Sequence, residues 1–159
     1  MKILMLVSRH WDNTTNEDIV SYSKESKFIL GYLDDDPSFG INSQDWNDRV
    51  HPDDKEKYFQ DFQDHLNGLC LIYQNKHRVL CNDGTYKWIQ DKGKIISRDS
   101  KGVPVRVIGT HTDITELVEN ENRINNTLSL ITKQNNTLKN FAHIVTHNLK
   151  EHSEILKVY

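Results

Sequence analysis

Residues 71–112 read LIYQNKHRVLCNDGTYKWIQDKGKIISRDSKGVPVRVIGTHT, and this stretch decides the fold. Two turn signals interrupt it, Asn82-Asp83-Gly84 and Asp99-Ser100-Lys101-Gly102. Such turns are typical of β-hairpins, because Asn, Asp and Gly tolerate the left-handed backbone that a tight reversal needs. The segments around the turns predict three strands, at Leu71–Leu80, Thr85–Ser97 and Val103–Thr112. Strands joined by hairpins pair in opposite directions, so the stretch predicts an antiparallel sheet.

A helix is predicted just before these strands, at Asp53–Leu66. Pro52 suits its first turn, where the missing N–H costs nothing. Asp53 and Asp54 lie where the positive end of the helix dipole favours acids. Gly68 ends the helix, and its apolar stripe consists of Tyr58, Phe59, Phe62 and Leu66.

Shorter elements come earlier in the chain. Ile3–Val7 predicts either a strand or one side of a short helix, since periodicity cannot decide over five residues. Ile19–Ser23 predicts a strand, Lys24–Leu30 a helical turn that Gly31 stops, and Asp34–Gly40 a loop. A strand, then helices, then hairpin-linked strands is the order of an α+β fold.

The C-terminal part of the chain differs in composition. All seven glycines and all three prolines lie at or before Gly109. Turn-forming residues are needed where a chain reverses, so residues 110–159 need not fold back. We therefore predict a globular part at 1–112 and a helix at 113–159. Asp113 is its predicted cap, with Glu116 three residues on, as in a capping box.

Apolar residues in this tail follow a period of 3.5 residues. With Leu128 at heptad position a, the d positions are apolar through five heptads: Leu117, Ile124, Ile131, Leu138 and Val145. This pattern predicts a coiled-coil homodimer. Glu121 and Asn135 occupy a positions, where polar residues lower stability but can fix the register. The alternative is a helix docked on its own globular domain.

Charge and composition exclude several classes of function. The chain has 20 basic and 23 acidic residues, a net charge of −3, so binding to nucleic acid through phosphate neutralisation is not expected. The longest apolar run, Ile3–Val7, is too short for a membrane span or a secretory signal. Cys70 and Cys81 form neither a disulfide framework nor a CxxC site. We expect a cytoplasmic protein with reduced cysteines, and any membrane span would belong to a longer parent.

Short motifs recur along the chain in a characteristic order: Leu30-Gly31-Tyr32, Trp46 with Arg49–Asp54, His77-Arg78-Val79, Asp83–Ile89, Arg106–Thr110 and Asp113-Ile114-Thr115. Together they resemble the PAS sensor domain, fold-3 type, which often precedes histidine kinases. The resemblance covers roughly residues 11–115. It implies a five-stranded antiparallel sheet with helices over one face and a ligand cavity beside the helix from Asp53. It also implies that Asp113 and Thr115 couple the sheet to an output helix.

A second resemblance lies in the tail. Residues 141–150, FAHIVTHNLK, are similar to the phosphoacceptor box of sensor histidine kinases. This implies that His147 accepts phosphate, and the heptad places His147 at f, the most solvated position. Asn148 stands where the family usually has Asp or Glu. An amide can orient the histidine ring by a hydrogen bond but is a poor general base, which weakens the case for phosphatase activity.

The resemblance implies three parts: a PAS sensor domain at 1–112, a signalling coiled coil at 113–140 and a truncated phosphoacceptor helix at 141–159. The predicted function is the sensory input region of a two-component sensor histidine kinase, with a response regulator as partner. No nucleotide-binding motif follows the box, so ATP would come only from a separate domain, and the chain alone is expected to be inactive. The alternative is a non-enzymatic PAS module that dimerises and controls another output domain, a reading that gives residues 141–150 no role.

The other candidate residues favour structural roles. His143 and His147 lie one turn apart, but no third ligand accompanies them, and no metal site is expected. The His51-Pro52-Asp53-Asp54 run is interpreted as a helix N-terminus. His65, where haem-binding relatives place a ligand, is interpreted as an unpaired surface residue. Neither cysteine has the Asn-Cys-Arg setting of flavin-binding light sensors, so no cofactor is predicted, and the identity of a small ligand in the pocket stays open.

Overall fold

The computed structural model of the chain describes residues 5–12, 17–39 and 42–155. The strands are β1 (Met5–Asp12), β2 (Glu17–Tyr22), β3 (Tyr73–Leu80), β4 (Tyr86–Arg98) and β5 (Pro104–Asp113). The helices are α1 (Lys24–Ile29), α2 (Ser43–Arg49), α3 (Pro52–Leu66) and α4 (Thr115–Ile155). The α+β class and the long C-terminal helix are confirmed. The chain divides into two compact units, Met1–Glu116 and Leu117–Tyr159.

The strands form an antiparallel sheet in the order β2-β1-β5-β4-β3. Both predicted hairpin turns are present, with Gly84 at φ 84° and Gly102 at φ 82°, which is why these positions favour glycine. On β4, Ile89 lies opposite His77 of β3, and Asp91 lies opposite His111 of β5. Because side chains alternate along a strand, these residues share the inner face of the sheet.

The first strand extends the sequence prediction. The sequence of Ile3–Val7 is compatible with either a strand or a helix. The described part of that segment, from Met5, belongs to a strand that continues to Asp12. Residues 1–4 lie outside the described residues. The strand pairs with both β2 and β5.

The core of the first unit lies between the inner face of the sheet and the helices before β3. Leu30, Trp46, Val79 and Ile89 are all buried there. Burying a large apolar side chain contributes about 1.5–3 kcal/mol. Trp46 belongs to α2, a helix that was not predicted. The seven residues of α2 contain only this one large apolar side chain, so they show no readable periodicity.

The start of α3 is a structural joint, as predicted. His51 Nδ1 accepts a hydrogen bond from the amide of Asp53 at 3.2 Å. The carboxylate of Asp54 accepts bonds from the Arg78 amide, Nε and Nη2 at 2.9, 2.8 and 2.7 Å. Hydrogen bonds from Arg78 hold the pKa of Asp54 below its usual value, although burial opposes them. This paired carboxylate fixes α3 to β3.

The end of α3 corrects the interpretation of His65. This histidine is 1% exposed, whereas Phe59 of the predicted apolar stripe is 47% exposed. His65 Nδ1 lies 2.9 Å from the carbonyl oxygen of Cys70. The segment after the helix folds back on it, with the Leu69 amide donating to the Asp64 carbonyl at 2.9 Å. His65 is therefore a buried, hydrogen-bonded residue and not an unpaired surface residue.

The helix α4 has 41 residues and is about 60 Å long at 1.5 Å per residue. From Glu119 to Lys150 every side chain is exposed. Among the described residues, no helix combines the length and apolar composition that a membrane span requires.

Candidate functional site

A cavity of about 280 Å³ lies in the first unit, between the sheet and helices α2 and α3. Its aromatic lining consists of Tyr22, Trp46, Tyr58, Phe59, Phe62 and Tyr73. Gly93 and Gly109 lie opposite each other on β4 and β5 and leave this part of the lining without side chains. At Gly109 a Cβ would lie 2.8 Å from the carbonyl oxygen of Lys92, so a larger residue would force the two strands apart. The close pairing of β4 and β5 therefore requires glycine at position 109.

Asp91 and His111 form a polar pair in the cavity wall. His111 Nε2 lies 3.5 Å from Asp91 Oδ1, and each residue is 6% exposed. Burial raises the pKa of Asp91 well above its usual value. Burial, assisted by His77, lowers the pKa of His111 to about 3. The wall thus favours a neutral acid beside a neutral imidazole, and not an ion pair.

His77 is a second imidazole near Asp91, with its Nε2 3.8 Å from Asp91 Oδ2. Trp46 Nε1 donates a hydrogen bond to His77 Nε2 at 3.1 Å. Because an indole N–H can only donate, His77 Nε2 is the acceptor and Nδ1 carries the proton. His77 Nδ1 donates to Asn75 Oδ1 at 2.9 Å. Burial lowers the pKa of His77 to about 4, which keeps this tautomer neutral at physiological pH.

Three buried polar atoms of the cavity wall have no hydrogen-bond partner among the described residues: Asp91 Oδ1, His111 Nδ1 and the Tyr73 hydroxyl oxygen. The 3.5 Å contact between Asp91 and His111 is too long for a strong hydrogen bond. A buried polar atom without a partner costs about 1–3 kcal/mol. Three such atoms around one cavity are available to form hydrogen bonds with a polar group of a ligand.

Sequence reasoning missed these residues. His77 lay in a quoted motif but without a role, and Asp91 and His111 were not singled out. A signal was available, because Asn75, His77, Asp91 and His111 are buried on strands whose other buried residues are apolar or glycine. Reading it requires the strand register, which places Asp91 opposite His111.

The predicted coupling residues lie where β5 passes into α4. Asp113 Oδ1 accepts a hydrogen bond from the Thr115 amide at 2.9 Å. Thr115 Oγ1 accepts one from the Trp88 amide at 3.0 Å, and the Ile114 amide donates to the Trp88 carbonyl at 2.8 Å. The predicted cap is therefore present at Asp113, and Thr115 fastens the start of α4 to β4.

Lys87 adds a charge to this junction. Its Nζ lies 3.3 Å from Asp113 Oδ2 and donates to the Ile29 carbonyl oxygen at 2.8 Å. Burial raises the pKa of Asp113, but the hydrogen bonds from Thr115 and the charge of Lys87 outweigh it and lower that pKa overall. Asp113 is therefore held as a carboxylate between the helix start and the end of α1.

His147 and Asn148 lie near the C-terminal end of α4, and both are exposed. The ring of His143, one turn earlier, stacks on that of His147 with centroids 6.5 Å apart. In the described part of the chain, no group of three or more His, Cys, Asp or Glu side chains is placed to hold a metal ion. The side chain of His152 is not among the side chains that the structure describes.

The apolar d positions of α4 are exposed within a single chain. Ile124, Ile131 and Leu138 are 65%, 54% and 66% exposed. Contiguous apolar surface of this kind marks an interaction face. Leu130, at heptad position c, is 56% exposed and lies outside the a and d positions.

Neither cysteine belongs to the cavity. Cys81 is buried, and burial raises the pKa of its thiol, whereas Cys70 is exposed. No cysteine occurs among the described residues that line the cavity, and His65 is not among them either.

Comparison with known proteins identifies the fold family of the first unit. The sequence profile of the PAS fold family matches residues 19–111. The match begins within β2, so it covers most of β2, all of β3 and β4 and nearly all of β5. No curated protein matches this chain.

Several solved structures are similar. A sensory box histidine kinase/response regulator from Burkholderia thailandensis E264 is 25% identical at a TM-score of 0.66, over 82% of this chain and 91% of that chain. The N-terminal domain of a diguanylate cyclase with a PAS/PAC sensor from Marinobacter aquaeolei is 24% identical at 0.52, over 69% and 95%. A PAS domain from Colwellia psychrerythraea is 20% identical at 0.54, over 71% and 87%.

Proposed function

This chain belongs to the PAS fold family, and from that premise we propose that it is the sensory input region of a two-component sensor histidine kinase. The observation that carries the proposal is the continuity of the sensor fold with a helix that bears a phosphoacceptor-like box. A single helix, Thr115–Ile155, contains both the junction residue Thr115 and His147. Similarity to the Burkholderia sensory box histidine kinase supports the same assignment.

His147 is the proposed phosphoacceptor. An unprotonated ring nitrogen attacks the γ-phosphorus of ATP held by a separate domain. A nitrogen–phosphorus bond forms as the bond to the ADP oxygen breaks, and the proton on the other ring nitrogen is released to water. The chain's own part in such a transfer is to present the ring, and the ATP domain supplies most of the charge stabilisation. His147 is exposed and lies at heptad position f, away from the a and d seam. Asn148 would orient the ring and would not take its proton.

A homodimer through residues 113–159 is part of the proposal. The occupant of the exposed a and d face is a second copy of the same helix, because the apolar period is 3.5 residues over five heptads. In this scheme residues 1–112 sense, 113–140 transmit and 141–159 accept phosphate. The remaining partners are an ATP-binding kinase domain and a response regulator, and the proposed location is the cytoplasm.

The proposed signal runs from the cavity to the helix along β5. His111 lies in the cavity wall, and Asp113 and Thr115 follow it at intervals of two residues on the same strand and helix start. A change in packing at His111 therefore acts on the hydrogen bonds that tie the start of α4 to β4.

The test joins this chain to the ATP-binding domain of a histidine kinase and supplies labelled ATP. We expect acid-labile, base-stable label on the wild-type chain and on His143→Gln, and none on His147→Gln. His143 is a matched control because its ring is exposed and stacks on that of His147. The activity of the added domain is verified on its own phosphoacceptor helix.

Two outcomes contradict the proposal. Label that persists in His147→Gln excludes this residue as the acceptor. No label at all, with an added domain that labels its own helix, favours the alternative of a non-enzymatic PAS module acting on another kind of output domain.

A further inference from the structure

The polar part of the cavity wall indicates which kind of ligand the sensor takes. Asp91 and Tyr73 are neighbours on the inner face, since Tyr73 lies opposite Gly93 and Asp91 is two residues from Gly93 on β4. His111 lies opposite Asp91 on β5. Each of these three residues is at least nine-tenths buried, lines the cavity and has a polar atom without a partner among the described residues.

The surroundings of these atoms favour a ligand without charge. Lys92 is the only positively charged residue in the described lining, and it is exposed. The only carboxyl in that lining is Asp91, whose burial favours the neutral acid. A charged ligand would lose its hydration and find no opposite charge inside the cavity, which is unfavourable.

The size of the cavity and the hydrogen-bonding groups of its wall restrict the class of ligand further. A volume of about 280 Å³ lies at the small end of ligand pockets, which range over roughly 300–1,000 Å³. Aromatic rings surround much of this space, and flat aromatic groups pack well against such rings. The neutral Asp91 carboxyl and the Tyr73 hydroxyl can each donate or accept, and one nitrogen of the neutral His111 ring accepts.

We propose that this cavity binds an uncharged, planar small molecule that presents a hydrogen-bond donor and an acceptor side by side to Asp91, His111 and Tyr73. The inference rests on the proposed sensory function and names the chemical class of its ligand. Primary aromatic amides and similar heterocycles have this chemistry.

Three isosteric probes test the charge requirement on the full chain. Benzamide is neutral and carries an adjacent donor and acceptor, benzoate is an anion and benzamidinium is a cation. Titration followed by NMR and calorimetry at neutral pH should show benzamide binding at least tenfold more tightly than either ion. Tighter binding of benzamidinium would mean that Asp91 is a carboxylate in the cavity, and tighter binding of benzoate would mean an anion site. Either result overturns the proposal, as does the absence of binding by all three at millimolar concentration.

Conservative variants test the residues. Tyr73→Phe should weaken benzamide binding about three- to tenfold by removing the hydroxyl, whereas Tyr86→Phe, on the same strand pair but 41% exposed, should leave it unchanged. Asp91→Asn keeps a neutral donor and acceptor and should retain binding within about threefold, whereas Asp91→Leu should lose at least tenfold. Equal effects of Tyr73→Phe and Tyr86→Phe, or loss of binding in Asp91→Asn with its fold intact, would contradict the assignment.

Circular dichroism and thermal unfolding report whether each variant is folded. If Asp91→Leu does not fold, the binding affinity of Tyr73→Phe tests the proposed ligand site. These binding measurements are independent of phosphoryl transfer. If His147 is not labelled but benzamide binds, only the kinase proposal fails. If His147 is labelled but benzamide does not bind, only the proposed ligand class fails.

Discussion

The backbone amide of Trp88 donates a hydrogen bond to the side-chain oxygen of Thr115 at 3.0 Å. Trp88 lies one residue beyond the last paired position of β4 with β5, where Ile89 is opposite Asp113. The Ile114 amide donates to the Trp88 carbonyl as a further residue of β5 would, and the side chain of Thr115, the first residue of α4, accepts from the Trp88 amide in place of a strand carbonyl. Hydrogen bonds therefore join the start of the helix directly to β4 at this point.

Thr115→Val tests this link. The change keeps the shape of the side chain but removes the acceptor of the Trp88 amide, so we expect a loss of about 1 kcal/mol in the free energy of unfolding. Urea denaturation measures it. Thr132→Val is the matched control, because the Thr132 hydroxyl donates to the Leu128 carbonyl within α4. Equal losses in the two variants would show that the link to Trp88 has no special weight.

Asp113 contributes a cap and a charge, and two substitutions separate them. Asp113→Ala removes both and should cost about 1 kcal/mol as a lost cap. Asp113→Asn keeps an oxygen for the Thr115 amide but loses the ion pair with Lys87, so its cost should be smaller. Hydrogen exchange of the first-turn amides of α4 should rise most in Asp113→Ala. If Asp113→Asn is as damaging as Asp113→Ala, the charge and not the cap is what matters.

The coiled-coil prediction has an unusually close control. Ile131 and Leu130 are adjacent and about equally exposed, at 54% and 56%, but only Ile131 lies at a d position. Ile131→Asp should dissociate the dimer, because a charge would be buried in the seam. Leu130→Asp should leave it intact. Sedimentation at micromolar concentration distinguishes the outcomes, and a wild-type monomer or equal effects of both changes would contradict the coiled-coil seam.

The parts of the fold that show a periodic pattern of apolar residues, or that begin or end at glycine or proline, could be predicted from sequence. The heptads of α4, the turns at Gly84 and Gly102 and the start of α3 after Pro52 each depend on residues close together in the chain. The short helix α2 and the burial of His65 could not be predicted in this way. Both depend on contacts with distant segments: Trp46 packs in the core, and residues 69 and 70 fold back over α3.

The candidate functional residues likewise comprise some that could be predicted from sequence and some that could not. Asp113, Thr115 and His147 were recognisable because a local motif contains each of them. The cavity wall was not, since Tyr73, Asp91 and His111 come from three strands and meet only through the sheet register. Polar residues at inward strand positions are a signal that sequence reasoning can use once the hairpin turns fix that register.

The buried histidines make stability depend on pH. Between about pH 4 and 6.5 the unfolded chain protonates His77 and His111, whereas burial lowers their pKa values in the folded chain to about 4 and about 3. Asp91 acts in the opposite direction, because its raised pKa keeps a proton that the unfolded chain releases above 3.8. The two histidines therefore lower stability as the pH falls through this range, and Asp91 offsets part of that loss.

Two substitutions separate these contributions. His111→Phe preserves an aromatic ring against Trp46, which stacks on His111 with centroids 3.8 Å apart, and should make stability depend less steeply on pH. Asp91→Asn removes the opposing contribution and should make the dependence steeper. Urea titrations at several pH values measure both, with His143→Gln as the control on the exposed surface of α4. A slope unchanged in His111→Phe would mean that this ring does not remain neutral in the folded chain.

We expect the identity of residue 148 to affect the rate of the proposed transfer. The Asn148 side chain follows His147 directly on α4 and is exposed, in the place where a sensor kinase usually has a carboxylate. A carboxylate can accept the proton of the histidine ring, and positioned general bases typically contribute 10²–10⁴-fold, whereas an amide only orients the ring. Asn148→Asp should therefore speed labelling of His147 by up to about 100-fold, and Asn148→Ala should slow it.

The control for this change is Asn140→Asp, which adds the same charge two turns earlier on the exposed surface of α4. Its labelling rate should match that of the wild type, since a carboxylate there cannot reach the His147 ring. The measurement is the initial rate of acid-labile label in the fusion with an ATP-binding domain. If Asn140→Asp accelerates labelling as much as Asn148→Asp, the effect is general electrostatics; if neither does, proton acceptance by residue 148 does not limit the transfer.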